Sequence, residues 1–150
     1  MSLIYKFKKE KLLDGKYVTR PIILVTLNGK DISIEIPALI DTGCDISVIP
    51  EGIAKLLGLD MTGEKNKLYA YRESSEVIES RADISFIGKE MRQSITLKEV
   101  PLLIATEMDR YHEELDITLG IAGIFDSFDI AFRKNKNKII LKKVNNYLKS

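Results

Sequence analysis

A single carboxylate interrupts an otherwise apolar stretch, "ALIDTGCDISVIP", which runs from Ala38 to Pro50. Asp41 follows an apolar run that has the character of a buried strand, and Thr42 and Gly43 lead from it toward a second apolar run. A charged group at the end of an apolar strand is poorly solvated, so such groups are usually paired or take part in function. Asp41 is therefore the first candidate for chemistry in this sequence.

Two other residues with reactive or metal-binding side chains occur once each in the chain, Cys44 and His112. No histidine lies near Cys44 in the sequence, and a small buried thiol is commoner than a cysteine nucleophile. His112 lies in "RYHEELD", where its acidic neighbours permit a metal site, but a surface histidine is the commoner explanation. We therefore predict no metal site at either residue.

Composition and charge limit the classes of protein to which this chain can belong. It has 150 residues, of which 45% are hydrophobic and 30% charged, and its net charge is +1. This length and composition predict one globular domain, residues 1–150, with a core of its own. No global field selects nucleic acid or membrane. The segment from Ala131 to Ser150 has seven Lys or Arg residues and no acid, and we favour a solvated face over a nucleic-acid contact there.

The cysteine count and the N-terminal residues bear on location. One cysteine cannot form an internal disulfide, which is typical of a reducing compartment. The N-terminal sequence "MSLIYKFKKEKLLDG" lacks the continuous apolar segment of a signal peptide. No stretch approaches the roughly 18 apolar residues of a membrane span. We therefore expect a cytoplasmic protein without a membrane partner.

Strand patterns dominate the first half of the chain. Asn28-Gly29 between two β-rich runs predicts a hairpin. The alternation of Ile32, Ile34 and Ile36 with polar residues predicts that the second strand of this hairpin is half-buried. After a short strand, "PEGIAKLLGL" predicts a short helix that ends at Gly58.

Hairpins are also predicted in the second half. "KLYAYRESSEVIESRADISFIG" predicts a long hairpin with a polar tip at Arg72 to Ser75, and further strand patterns occupy "KEMRQSITLKEV" and "PLLIAT". "RKNKNKIILKKV" predicts a closing hairpin around Asn135 to Asn137. The predicted fold class is all-β, a closed, barrel-like sheet with one or two short helices.

A second glycine-containing segment, "ITLGIAGIFDSFDIAF", follows much later in the chain and predicts an apolar strand ending at Leu119-Gly120, a short helix and another strand. The order of hairpin, apolar strand, Asp41-Thr42-Gly43, short strand and helix, completed by this segment, resembles the retropepsin-like aspartic proteases, the clan of the retroviral proteases. The resemblance covers about Val18 to Val144 and is most specific from Ala38 to Leu59.

The resemblance implies an aspartic endopeptidase, a hydrolase of peptide bonds, with Asp41 as its catalytic residue and Thr42 and Gly43 in the active-site loop. In the family this threonine bonds across to the partner's loop, the glycine lets the two loop backbones approach closely, and a later strand, here Thr118-Leu119-Gly120, passes beside the loop. Such enzymes use two carboxylates that share one proton, one as general base toward a water molecule and the other as general acid toward the leaving nitrogen. This sequence has one Asp-Thr-Gly only. The resemblance therefore implies a homodimer whose single site receives Asp41 from each protomer, and it implies no cofactor.

The resemblance also indicates which residues contact a peptide or protein substrate. The substrate would lie extended, as an added strand, between the aspartates and the tip of the long hairpin, called the flap in this family. Tyr71, Arg72 and Glu73 are the candidate flap residues for this contact. Asp45 binds substrate backbone N–H groups if it acts as in the family, and is otherwise an ordinary loop residue.

Two departures from the family pattern leave other functions open. Retroviral members have an arginine after the second glycine that pairs with the aspartate corresponding to Asp45, but Ile121 occupies that position here. The predicted flap tip also lacks the glycines that are frequent in the family. The main alternative is a catalytically inactive retropepsin-like module that dimerises or binds peptides. A nucleic-acid-associated module that uses the basic C-terminal segment is a third hypothesis.

Overall fold

The computed structural model describes residues 2–70, 73–88, 93–106 and 117–144. Within these ranges the chain forms twelve β-strands and one α-helix. In chain order they are β1 Ser2–Tyr5, β2 Lys8–Lys11, β3 Tyr17–Arg20, β4 Ile22–Asn28, β5 Ser33–Ile40, β6 Ser47–Pro50, α1 Glu51–Leu57, β7 Lys65–Ala70, β8 Glu73–Ile87, β9 Ser94–Ala105, β10 Ile117–Leu119, β11 Phe128–Arg133 and β12 Lys138–Lys143.

Six of these strands close into a barrel. They are hydrogen-bonded in the order β4-β5-β10-β6-β9-β8, and β8 pairs back onto β4. Strand β7 pairs only with β8 and lies outside the ring. The prediction of an all-β, barrel-like fold is therefore confirmed.

The predicted hairpin of β4 and β5 is present, with a slightly different boundary. The two strands pair up to Asn28 and Ser33, so the turn consists of residues 29–32. Ile32 lies in this turn and is 43% exposed, so its predicted place in the half-buried strand is wrong. Ile36, Ala38 and Ile40 alternate into the core as a strand period requires, which brings the end of β5 to the candidate loop with its apolar face buried.

Helix α1 and the long hairpin were both predicted, but the predicted flap tip extends too far along the second strand. Gly58 ends α1 in the left-handed conformation, at φ 69°. Strands β7 and β8 pair from Lys65 and Ile78 up to Ala70 and Glu73. Glu73, Ser74 and Ser75 are therefore strand residues. Residues 71–72, which follow Ala70, lie outside the described part of the chain.

Two sheets outside the barrel involve the N-terminal strands β1, β2 and β3, which were not predicted. Strands β1, β12 and β11 form a three-stranded antiparallel sheet in which β12 is central. It packs on the barrel partly through Phe128, whose ring meets the ring of Phe86 edge-on with centroids 5.0 Å apart. Strands β2 and β3 form a separate two-stranded hairpin.

The segment after β10 differs from the predicted strand, helix and strand. Residues Ile121–Phe125 form a turn that departs from helical geometry at Ala122 (ψ 123°) and Gly123 (φ 80°). The following strand β11 and the closing hairpin with β12 are as predicted. In the described residues, no helix has the length and apolar character needed to cross a membrane.

Candidate active site

Asp41 lies where β5 leaves the barrel. The parallel pairing of β5 with β10 ends at Ile40 and Leu119, and the Asp41 N–H continues it by donating to the Leu119 carbonyl oxygen at 3.0 Å. The Asp41 carboxylate is half-buried, and its Oδ1 accepts the Gly43 N–H at 2.8 Å. The backbone of two barrel strands and one short side-chain bond therefore fix the position of this carboxylate.

Thr42 and Gly43 form the exposed tip of the candidate loop, which we define as residues 41–45. A Cβ at Gly43 would lie 3.2 Å from Asp41 Oδ1, so a larger residue would press on the carboxylate. Among the described residues, the Thr42 hydroxyl has no hydrogen-bond partner within this chain. The roles predicted for these two residues, at a contact with a second loop, stay predictions.

Gly120 brings the second predicted segment against the candidate loop. The N–H groups of Ile121 and Ala122 each donate at 2.9 Å, to the carbonyl oxygens of Cys44 and Asp45 respectively. A Cβ at Gly120 would lie 2.6 Å from the Cys44 carbonyl oxygen, which is closer than real Cβ contacts. Only glycine allows the two backbones to approach this closely, so the predicted contact between these segments is present.

Ser47 also joins these two segments, and sequence reasoning missed it. It is fully buried, and its Oγ accepts the Gly120 N–H at 3.0 Å. A buried N–H without an acceptor is costly, so this hydroxyl replaces a strand-to-strand bond that the crossing backbones cannot make. The available signal was a serine that alternates with the buried Ile49 in a short apolar strand.

The surroundings of the Cys44 thiol favour its protonated form. Its Sγ–H donates to the Ile46 carbonyl oxygen at 2.9 Å. Burial raises the pKa of the Cys44 thiol, and the nearby negative charges of Asp41 and Asp45 raise it further. A thiolate nucleophile is therefore disfavoured here, in agreement with the interpretation from sequence.

Asp45 and Ile121 lie in the two segments that meet at Gly120, and each is held by a backbone bond to another residue: Asp45 accepts from Ala122, and Ile121 donates to Cys44. The Asp45 side chain is exposed, and within the described residues its carboxylate makes neither an ion pair nor a hydrogen bond. Ile121 is 41% exposed. Among the described residues, no arginine pairs with Asp45 as in the retroviral members, and backbone bonds hold the loop.

Of the three predicted flap residues, Glu73 belongs to the described part of the chain. Glu73 is the first residue of β8 and pairs with Ala70. Tyr71 and Arg72 lie outside the described residues, as does His112. Within the described ranges, no group of three or more His, Cys, Asp or Glu side chains is arranged to hold a metal ion.

Comparisons with known proteins agree with this architecture. No protein-family model matches the sequence, and no curated protein matches it. Among solved structures, the chain is similar to a retropepsin-like aspartic protease from Rickettsia conorii, with a TM-score of 0.53, 18% identity and coverage of 94% of this chain and 90% of that one.

Two further solved structures are similar to this chain. The retroviral protease-like domain of Ddi1 from Leishmania major gives a TM-score of 0.50 at 12% identity, covering 87% of this chain and 98% of that one. The EIAV protease in complex with an inhibitor gives 0.43 at 21% identity, covering 67% and 81%. The Rickettsia and Leishmania matches, together with the closed barrel, show that this chain has a retropepsin-like fold.

Proposed function

We propose that this protein is an aspartic endopeptidase, active as a homodimer. One observation carries the proposal. In a retropepsin-like fold, the carboxylate of Asp41 is half-exposed on a loop that is bonded on one side to Leu119 and, through Cys44, to Ile121. A carboxylate held by backbone bonds but open on its outer side suits a reaction with a bound molecule.

The homodimer follows from the number of carboxylates that the reaction needs. Hydrolysis by this chemistry uses two carboxylates, and the chain has a single Asp-Thr-Gly. A twofold axis beside the candidate loop would bring Asp41 of each protomer into one site. Thr42 and Gly43 are exposed in the single chain, as residues at such a contact would be before a second copy covers them.

The two carboxylates would divide the proton transfers between them. The ionised one removes a proton from a water molecule, whose oxygen attacks the peptide carbonyl carbon and gives a tetrahedral intermediate. The protonated one then donates to the nitrogen as the C–N bond breaks, which leaves a free carboxyl and a free amine. The substrate would lie extended beneath the hairpin of β7 and β8, and the exposed Asp45 carboxylate is available to its backbone N–H groups.

A second candidate function is a catalytically inactive module that dimerises or binds peptides. It is favoured by Ile121 at the position of the family's arginine and by the lack of a partner for the Asp45 carboxylate among the described residues. A loop that has lost its supporting ion pair can retain the fold without the reaction.

Cleavage of a random peptide mixture between pH 4 and 7 distinguishes the two functions. We expect the wild type to cleave and Asp41→Asn to lose activity by a factor on the order of 10² to 10⁴, because the amide cannot act as general base. Asp45→Asn is the matched control and should lose far less. Wild-type turnover in Asp41→Asn, or activity abolished by a metal chelator, would contradict the proposal. Peptide binding without cleavage by either protein would favour the inactive module.

A further inference from the structure

The hairpin of β2 and β3 is an outlying element of the fold with an unusual surface. Its strands pair only with each other, from Lys8 and Arg20 to Lys11 and Tyr17. One face contains Lys9, Lys11 and Tyr17 without any acidic residue, since Glu10 lies on the opposite face beside Lys8.

The tip of this hairpin presents two leucines to solvent. Leu12 is 39% exposed, and Leu13 is as exposed as in an extended chain, at 111%. The turn is closed by the Leu12 N–H, which donates to the Lys16 carbonyl oxygen at 2.7 Å, and by Gly15 at φ 85°. Glycine supplies the left-handed residue that such a tight turn needs. This turn therefore places the two leucines at the solvent-exposed end of the hairpin.

A second basic segment lies beside the base of the hairpin. The Phe7 N–H donates to Asn137 Oδ1 at 3.1 Å, and the rings of Phe7 and Phe132 are in contact, with centroids 6.4 Å apart. These contacts join residues 6–20 to the turn of β11 and β12, residues 133–138. We call these two segments together the basic end.

The basic end concentrates positive charge in a nearly neutral chain. It contains ten Lys or Arg residues and two acids, Glu10 and Asp14, a net of eight positive charges, whereas the whole chain has a net charge of +1. All ten cationic residues are exposed. Such separation produces a strong local field that attracts polyanions or anionic surfaces.

We propose that the basic end docks on a lipid bilayer that contains anionic headgroups, with Leu12 and Leu13 inserted at the level of the acyl boundary. Exposed leucines flanked by lysines favour membrane binding in two ways. The leucines bury apolar area in the bilayer, and the lysines are attracted to the anionic headgroups. Tyr17, beside the tip and 59% exposed, suits the interface, where amphipathic rings concentrate. Such surface docking needs no apolar span, so the lack of one in the sequence does not oppose it, and the proposal replaces the expectation that the protein has no membrane partner.

A single-stranded nucleic acid fits this surface less well. Binding of that kind combines cations with free aromatic faces on which bases stack. Lys9 Nζ covers one face of the Tyr17 ring at 4.5 Å from its centroid, and leucines offer no stacking surface. The leucine tip is the most exposed apolar feature of the hairpin, and contact with the phosphates of a nucleic acid would not bury it in apolar surroundings.

Asp14 is the one carboxylate at the tip. Its Oδ1 accepts the Lys16 N–H at 2.9 Å, which turns the group back toward β3 and away from the leucines. Its charge would still be repelled by anionic headgroups. Asp14→Asn removes this charge and can keep the hydrogen bond. It should therefore strengthen vesicle binding by a few-fold.

The chain has no tryptophan, so Leu13→Trp supplies a single fluorescent reporter at the tip. With vesicles of phosphatidylcholine and about a third phosphatidylserine, a typical anionic surface, we expect a blue shift in its emission that is absent with phosphatidylcholine alone. Leu56→Trp, at a leucine of α1 that is 62% exposed, is the matched control and should not shift. An unchanged Leu13→Trp spectrum would overturn the proposal.

Co-sedimentation with the same vesicles tests the charges and the leucines separately. Lys8→Gln/Lys9→Gln/Lys11→Gln should lower the partition coefficient on the order of a hundredfold, because each lysine near an anionic surface contributes about fivefold. Leu12→Ser/Leu13→Ser should also weaken binding strongly, and the effect of the lysines should diminish in high salt.

The control protein replaces three lysines outside the basic end, Lys30, Lys55 and Lys98, by glutamine and so loses the same charge. It should bind the vesicles almost as well as the wild type. Equal losses in the control would show a net-charge effect and overturn the proposal. Binding of a single-stranded thymidine oligonucleotide but not of the vesicles, lost in the Lys8→Gln/Lys9→Gln/Lys11→Gln protein, would assign the surface to nucleic acid and also overturn it.

Discussion

Gly120 and Ser47 join the end of β10 to the candidate loop and to β6, just beyond the pairing of Thr118 with Val48. The glycine lets the backbones cross at a distance that any Cβ would prevent, and the serine hydroxyl takes the N–H that the crossing leaves without a carbonyl. Both residues therefore act on Asp41 indirectly, since they fix the loop in which it lies. The geometry of the candidate site depends on residues that carry no charge.

Removal of the Ser47 hydroxyl should reveal this dependence. Ser47→Ala leaves the Gly120 N–H buried without an acceptor, so we expect the free energy of unfolding to fall by about 1–3 kcal/mol. Ser94→Ala, an exposed strand position, is the control and should change stability by less than about 0.5 kcal/mol. Urea denaturation measures both. Equal stability of the two variants would mean that the bond at Gly120 is dispensable.

Cys44 should be slow to react. Because burial and the two neighbouring carboxylates raise the pKa of its thiol, little thiolate exists near neutral pH, and the thiolate is the reactive form. We expect iodoacetamide to alkylate the folded protein more slowly at pH 8 than the protein unfolded in urea. Asp45→Asn removes one of the negative charges and should accelerate the reaction. Alkylation of the folded chain as fast as of the unfolded chain would contradict this explanation.

At the scale of elements, local sequence patterns were sufficient to predict the elements that are formed by neighbouring parts of the chain. The β4–β5 hairpin, helix α1 with Gly58, and the closing hairpin of β11 and β12 were predicted because turn residues and periodicity determine them. The predicted flap tip extended too far because Ser74 and Ser75, polar residues typical of turns, continue the pairing of β8 with β7.

Contacts between distant parts of the chain could not be predicted from local patterns. Strand β1 pairs with β12, at the opposite end of the described chain, and only four residues form it. The predicted neighbourhood of Asp41 and Gly120 came from the family resemblance, since no local pattern joins these residues. Ser47 was missed because its partner is a backbone N–H contributed by a distant segment.

Strand β9 contains a bulge that depends on one carboxylate. Glu99 has φ 51°, an uncommon conformation for this residue, and its N–H donates to Asp83 Oδ1 at 2.8 Å. This bond, with a further contribution from Lys98, lowers the pKa of Asp83. The ionised carboxylate is the form that stabilises the fold, so its contribution is present above about pH 4, the ordinary pKa of aspartate, and is lost as the pH falls through the lowered pKa of the folded state.

Asp83→Asn should therefore destabilise the protein in a pH-dependent way. At pH 7 we expect a loss of about 1 kcal/mol in the free energy of unfolding, at the lower end for a charged acceptor because the group is partly exposed. The difference from the wild type should shrink as the pH falls below about 4. Asp31→Asn, in the exposed turn after β4, is the control for charge alone. A loss in Asp83→Asn that stays constant down to pH 2 would show that the charge of the carboxylate is not what holds the bulge.

At the scale of the whole molecule, a single chain has fewer Asp-Thr-Gly carboxylates than the proposed reaction needs. The fold presents one Asp41 carboxylate on an exposed loop, whereas the proposed reaction needs two. The basic end adds a second surface, formed by residues 6–20 and 133–138, which are separate in sequence from the candidate loop. If both proposals hold, the surface on which the protein docks and the site at which it cleaves can be altered independently by mutation.

A mixing experiment tests whether the two carboxylates come from two protomers. Wild type refolded together with a threefold excess of Asp41→Asn should keep about a quarter of its activity per wild-type protomer, because random pairing places only a quarter of wild-type chains with a wild-type partner. Mixed dimers contain one carboxylate and one amide, and we expect them to be inactive, since neither half can replace the missing base. An equal excess of Asp31→Asn controls for refolding and should not lower the activity. If the wild-type activity per protomer is unchanged by the Asp41→Asn chains, each protomer works alone and the shared site is wrong.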